Sequence, residues 1–250
     1  MKMPEFIGNL PVVILRGPAR GSWWTLYPWT SYWRLGGHEP RVDAALQAVG
    51  DLRGKSVWDC GAHFGIYTVR FARQVGEAGQ VAVFEPDPVS FAKMQRHVRM
   101  NGFKNVVSFN AAASDSAEDA VIVVQEGLGG TTSHLPYPGE VLSSESRTVT
   151  VHRVRGDDLV SCGKVRRPDL IKLDVEGHGG EVLVGAGESI RLAKPAIIAA
   201  MHSPQEVEAI RGVVEPLGYR LWDYRQPTAK EIGWNDCGLG GPYLLEAREA

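Results

Sequence analysis

The chain has 250 residues, 44% of them hydrophobic and 22% charged, with a formal net charge of −2. That length suits one large α/β domain with a substantial core, and the balance excludes a disordered or fibrous chain. Near-neutral charge excludes a globally basic binder of nucleic acid or anionic membrane, and three widely spaced cysteines (Cys60, Cys162, Cys237) exclude a disulfide framework or a C-x-x-C zinc site.

Residues 1–38 read as an aromatic-rich extension. A strand is expected at 11–15, followed by Trp23, Trp24, Tyr27, Trp29, Tyr32 and Trp33. Such rings suit the wall of a ligand pocket, and equally a covered sheet edge or a contact in a homo-oligomer. The apolar run at 10–15 is broken by Pro11 and is too short for a secretion signal. No run reaches membrane-spanning length, so a cytoplasmic protein with no membrane partner is expected.

Residues 39–250 read as one domain. After Pro40, Val42, Leu46 and Val49 mark one face of a helix that Gly50 ends. A short buried strand then ends in Asp59, a turn carries Gly61 and Gly65, and Ile66, Val69 and Phe71 begin the next helix. A second strand at 81–85 ends in Glu85, and Asp87-Pro88 reads as N-cap and first helical position. That helix buries Phe91, Met94 and Val98 and stops at Asn101-Gly102. A third strand at 106–109 ends in the 110–115 segment, with a turn at 112–115. Strands at 121–124 and 149–154 bracket a polar, Gly-rich loop at 125–147. A buried strand at 170–173 precedes a helix through Val182, Leu183, Ala186 and Ile190. The next strand, at 196–201, leads through a Ser203/Glu206 capping box into another helix. Segments 219–224 and 242–245 suit a closing antiparallel hairpin. Apolar strands alternating with helices predict a mostly parallel central sheet covered on both faces.

Three strands therefore end in an acid: Asp59, Glu85 and Asp174. In a parallel sheet such ends share one rim, where open α/β folds hold ligands. Glu85 falls about 20 residues after the Gly turn, the offset at which an acid accepts ribose hydroxyls. The Asp59-x-Gly61-x-x-x-Gly65 spacing departs from G-x-G-x-x-G, and its leading carboxylate suits a cationic or hydroxyl-bearing ligand better than a pyrophosphate.

Taken in order, these motifs resemble the FkbM-type methyltransferases over roughly residues 36–200. The resemblance rests on Gly37-His38-Glu39-Pro40, Val57 through Gly65, and Val83-Phe84-Glu85-Pro86-Asp87. The 110–115 segment and Ile171-Lys172-Leu173-Asp174-Val175-Glu176-Gly177 complete it. It implies a Rossmann-like methyltransferase fold that uses S-adenosylmethionine, usually to methylate a hydroxyl on a small natural product or sugar. By that resemblance Asp59, Gly61, Ala62 and Gly65 line the methionine and ribose portions, and Glu85 with Pro86 holds the ribose hydroxyls. The Ala112–Asp115 turn lies near the adenine, and Glu39 closes on the amino-acid end. The chain departs from the family pattern at His178-Gly179-Gly180 and at Ala199-Ala200-Met201-His202, both towards the acceptor side.

Methyl transfer needs acceptor oxygen, methyl carbon and sulfur held in line, and a base to take the hydroxyl proton. Asp174, Glu176, His178 and His202 are the candidate bases; Asp174, His178 and Glu176 are taken as catalytic, with Asp174 and His178 favoured because the strand-end turn carries both. For His202 a cap or core role is the preferred reading. Asp174 and Glu176 could together hold a divalent ion, but no third ligand is evident and metal dependence stays open. Three readings compete. An NAD-linked oxidoreductase shares the fold but not the glycine spacing. A non-catalytic cofactor-binding module is compatible with the departures. Methylation of nitrogen or nucleic acid lacks both its Asn/Asp-Pro-Pro-aromatic signature and a favourable charge.

Overall fold

The computed structural model describes residues 10–26, 36, 39–124, 134, 147–225 and 228–247. β1 (Pro11–Val13) and β2 (Trp23–Thr25) form an antiparallel pair. α1 (Pro40–Val49) starts with proline at its first position. β3 (Ser56–Cys60), α2 (Ile66–Val75), β4 (Gln80–Phe84), α3 (Pro88–Met100) and β5 (Val106–Phe109) alternate as expected. β6 (Ala111–Ala113), β7 (Ala120–Val124) and β8 (Arg147–Val154) make a separate three-stranded sheet. α4 (Gly156–Ser161), β9 (Leu170–Leu173), α5 (Gly179–Gly185), α6 (Gly187–Ala193), β10 (Ala196–Met201) and α7 (Pro204–Val214) follow. β11 (Tyr219–Asp223), β12 (Lys230–Ile232) and β13 (Gly240–Ala247) complete the main sheet. Trp29, Tyr32, Trp33 and all but His134 and Arg147 of the 125–147 loop lie outside the described residues.

The eight strands run in the order β12-β11-β13-β10-β9-β3-β4-β5. From β10 to β5 every pairing is parallel, and β13 pairs antiparallel with both β10 and β11. The chain leaves β3 towards β4 and β5, then returns to place β9 on the other side of β3. This reversal opens a crevice at the carboxyl ends of β3 and β9. One core layer packs on Trp58, Phe84, Ile171 and Leu173, the opposite layer on Val57, Val83, Phe71 and Met94. Two buried faces explain why these strands read as continuous apolar runs. Among the described residues no helix is long and apolar enough to cross a membrane.

Three details differ from expectation. The helix through Val182 and Ile190 is two helices, because Asp157 reaches across to accept the Glu188 and Ser189 N–H groups and starts a new one there. Residues 111–113 form a strand rather than a turn, since β8 offers them a parallel partner. The capping box is half made: Ser203 Oγ accepts the Glu206 N–H, but the Glu206 carboxylate goes instead to the N–H groups of His202 and Gly179. The same contact explains the Gly179-Gly180 departure. A Cβ on Gly180 would stand 2.3 Å from Ala209 Cβ, where α5 crosses α7, and one on Gly179 would stand 2.7 Å from Glu206 Oε1.

Asp87 caps α3 as predicted, accepting from Ser90 N (2.9 Å) and Ser90 Oγ (2.7 Å). Asp87→Ala should cost about 1 kcal/mol, lowering the melting temperature by about 2–4 °C. A calorimetric shift below 1 °C would show that the cap carries no stability.

Candidate active site

The acidic ends of β3, β4 and β9 do share one rim, because these strands are parallel neighbours in register. At its centre Gly61 adopts φ 80°, and a Cβ there would lie 1.9 Å from the Asp174 carbonyl oxygen. Only glycine lets the β3 turn pass so near the end of β9. Gly65, also at positive φ, packs against Met94 of α3. His63 sits between them at φ 51° and gives its N–H to Glu85 Oε2 at 2.6 Å.

Glu85 is buried and also accepts the Asp87 N–H at 2.9 Å. Each carboxylate oxygen thus has a further lone pair for a ligand hydroxyl. Burial, opposed by those two N–H groups, pushes its pKa up to about 7. Asn110 staples this strand end by donating to the carbonyls of Glu85 (2.9 Å) and Pro86 (3.0 Å). Ala62 is buried in the turn, Ala112 in β6, and Asp115 lies 3.1 Å from Ser114 Oγ.

Asp59 is fully buried; Oδ2 accepts from Thr68 Oγ1 at 2.6 Å and Oδ1 has no hydrogen-bond partner. Burial raises its pKa, and Lys172 opposes the shift. The Lys172 ammonium stands 4.0 Å from Asp59 Oδ1, 3.3 Å from Asp174 Oδ2, and over the Tyr67 ring at 5.0 Å. Burial works against that charge, yet Asp174 and Asp59 raise the lysine pKa on balance. Sequence reasoning missed Lys172, although a lysine two residues before Asp174 in an apolar strand must share its face. Together with Glu39, Tyr67, Leu173, Ala199 and Pro242 it lines a cavity of about 150 Å³.

At the outer end of β9 the structure gathers Asp174, Glu176 and His202. His202 Nε2 lies 3.4 Å from Asp174 Oδ1 and 3.7 Å from Glu176 Oε2, while Nδ1 faces Glu206 Oε2 at 3.3 Å. Burial disfavours the imidazolium, but Asp174, Glu206 and Glu176 outweigh it and push the His202 pKa up to about 10. Burial likewise opposes ionisation of Asp174, yet Lys172 and His202 hold its carboxyl well below the usual carboxylate range. Burial raises the Glu176 pKa. His178 stands elsewhere. Its Nε2 is 3.0 Å from Ser114 Oγ and its Nδ1 3.5 Å from Glu181, beside the 111–115 segment. The histidine that joins Asp174 is therefore His202, not the neighbour in sequence. Its signal was the buried Glu206 four residues on, read as a cap alone.

These residues fit an amino-nucleoside cofactor. A buried carboxylate with spare acceptor capacity ends β4, the Gly turn brings backbone to the rim, and opposite charges line the cavity beside it. A doubly covered sheet reversed over such a rim is the architecture of the S-adenosylmethionine-dependent methyltransferases. Residues 59–221 match the family model of the methyltransferase FkbM domain, and the chain belongs to that family. It is 26% identical over 149 residues to the hexuronic acid methyltransferase AglP of Haloferax volcanii, covering 57% of this chain and 54% of that protein. The chain thus spans about half the length of the curated relative it matches. It also shares its fold with the FkbM methyltransferase of Methylobacillus flagellatus, at a TM-score of 0.50 and 16% identity, covering 77% of this chain and 43% of that one.

Proposed function

We propose that this chain moves the methyl group of S-adenosylmethionine onto a hydroxyl of a small, sugar-like acceptor. The observation that carries this reading is the Asp174–Glu176–His202 cluster, beside the cofactor rim, with side chains 44%, 29% and 20% exposed. Bound on the rim, the cofactor supplies an activated methyl on sulfur. Glu85 would accept hydrogen bonds from the ribose hydroxyls, Glu39 would face the ammonium of the amino-acid end, and the 112–115 segment would flank the adenine. Asp174 accepts a hydrogen bond from the acceptor hydroxyl and so aims its oxygen at the methyl carbon. The hydroxyl proton would pass to a carboxylate of the cluster as the acceptor oxygen takes the methyl group from sulfur. Glu176, the carboxylate of the three with the raised pKa, is the better proton acceptor. The resemblance of part of the chain to a hexuronic acid methyltransferase supports a hydroxyl-rich acceptor.

Family membership removes the oxidoreductase reading. The test is incubation with methyl-labelled cofactor and a panel of sugars and hexuronic acids, the label then being located by mass spectrometry. Label on a hydroxyl oxygen is expected. Label on the carboxylate of a hexuronic acid would make it an ester-forming methyltransferase; tight cofactor binding with no transfer would make it a binding module.

A further inference from the structure

The sequence offers two adjacent carboxylates and no third ligand; the fold supplies one. Among the described residues Asp174, Glu176 and His202 form the group whose ligand atoms lie within 4.8 Å of one another. With edges of 3.4 and 3.7 Å from His202 Nε2, an ion seated between the three atoms stands about 2.1–2.4 Å from each, the usual reach of divalent cations to oxygen and imidazole nitrogen. We propose that these three side chains bind one divalent cation of the manganese class, which holds and acidifies the acceptor hydroxyl.

Four features of the surroundings carry the assignment. First, His202 Nδ1 faces Glu206, a carboxylate with a fully buried side chain outside the cluster. Glu206 is itself fixed by the N–H groups of Gly179 (2.9 Å) and His202 (2.7 Å). A histidine whose Nδ1–H is held by a buried carboxylate presents the Nε2 lone pair outward, the usual support of a metal-bound imidazole. Second, the two oxygens of Asp174 are divided: Oδ2 faces Lys172 and Oδ1 faces His202. The lysine therefore does not occupy the ligand position. Third, Asp174, Glu176 and Glu206 all face His202, so a divalent ion that takes the place of the Nε2 proton brings one further positive charge to an acidic group. Fourth, Asp174 and Glu176 are part-exposed, so an ion here keeps open positions for two neighbouring oxygens of a diol or hydroxy acid. Mixed carboxylate and imidazole ligation at an open site suits manganese or iron(II) rather than a closed structural zinc.

The inference deepens the hydroxyl-methylation reading but is tested apart from it. Manganese(II) is titrated into the full chain, without cofactor or acceptor, and free ion is read by electron paramagnetic resonance. About one ion per chain should bind saturably. Asp174→Asn and His202→Ala should each weaken it at least tenfold, and Glu206→Gln by about 10- to 100-fold through the lost support of the imidazole. Asp174→Asn keeps the side-chain shape, so it decides the matter if the Glu206 variant fails to fold. Absence of saturable binding, or an affinity that none of the variants moves, overturns the site whatever the methyl-transfer assay shows. Binding lost in the variants supports the site even if no acceptor on the panel is methylated, and that second failure counts against the acceptor class alone.

Discussion

Glu85→Ala should weaken S-adenosylmethionine binding by roughly 1.5–3 kcal/mol, the usual value of hydrogen bonds to a charged group, or about 10- to 150-fold in Kd. The carboxylate is buried at the end of β4 and each of its oxygens already holds one backbone N–H. Truncation leaves those donors facing a rim that water can enter, so the variant should keep a cooperative melting transition. The wild-type affinity should also depend on pH in a defined direction. Burial raises the Glu85 pKa to about 7, and ribose hydroxyls donate best to the charged form. Affinity should therefore fall as pH drops through about 7 and level off above it, whereas the alanine variant should be flat in that window. The same raised pKa works the other way on the unliganded fold. Its contribution to stability is complete below the unfolded value near 4.5 and is lost as pH rises through about 7. Titration calorimetry between pH 6 and 8 reads the first effect, and melting temperatures from pH 4 to 8 read the second. A folded variant with unchanged affinity would remove Glu85 from the cofactor site.

The sheet and its rim were legible because both are written in local pattern. Asp59, Glu85 and Asp174 each end an apolar run, and parallel strands put such ends together whatever the details of packing. Asp87-Pro88 and Asn101-Gly102 bound α3 by backbone chemistry alone. The acceptor side was harder to read because its contacts join segments far apart in sequence. His178 follows Asp174 by four residues, yet the turn through Glu176, at φ 51°, and Gly177, at φ 99°, carries it towards Ser114. His202 lies 28 positions on but ends the neighbouring strand, β10, so sheet order rather than proximity in the chain decides which histidine faces the acid. Lys172 was overlooked for a similar reason. A lysine in an apolar strand is expensive to bury alone, and only the meeting of Asp59 and Asp174 on its face makes the position tenable. The aromatic wall expected from Trp29 and Trp33 falls outside the described residues. Trp24, nearer the described core, stacks on the buried His97 at 3.6 Å. His97 in turn meets the Phe64 carbonyl of the Gly turn at 2.8 Å, so this part of the extension braces that turn.

Asp174→Asn should lower turnover by about 10²-fold or more through lost aim of the acceptor oxygen, while cofactor affinity stays within about threefold, since the Glu85 contact is untouched. Asparagine keeps the shape of the side chain but loses the charge that Lys172 and His202 face at 3.3 and 3.4 Å. The unmodified carboxyl is held well below the usual range, so it is ionised at any working pH and its loss cannot be recovered by raising the pH. A turnover deficit that persists unchanged from pH 6 to 9 is therefore expected. The split between kcat and KM shows what the carboxylate does. If it only orients the hydroxyl, kcat falls and added manganese changes nothing. If it also ligates the cation, the deficit shrinks as manganese is raised towards saturation of the weakened site, and chelator abolishes wild-type turnover as well. Turnover within a few-fold of wild type at every manganese concentration would remove Asp174 from the chemistry and leave Glu176 to take the proton without it.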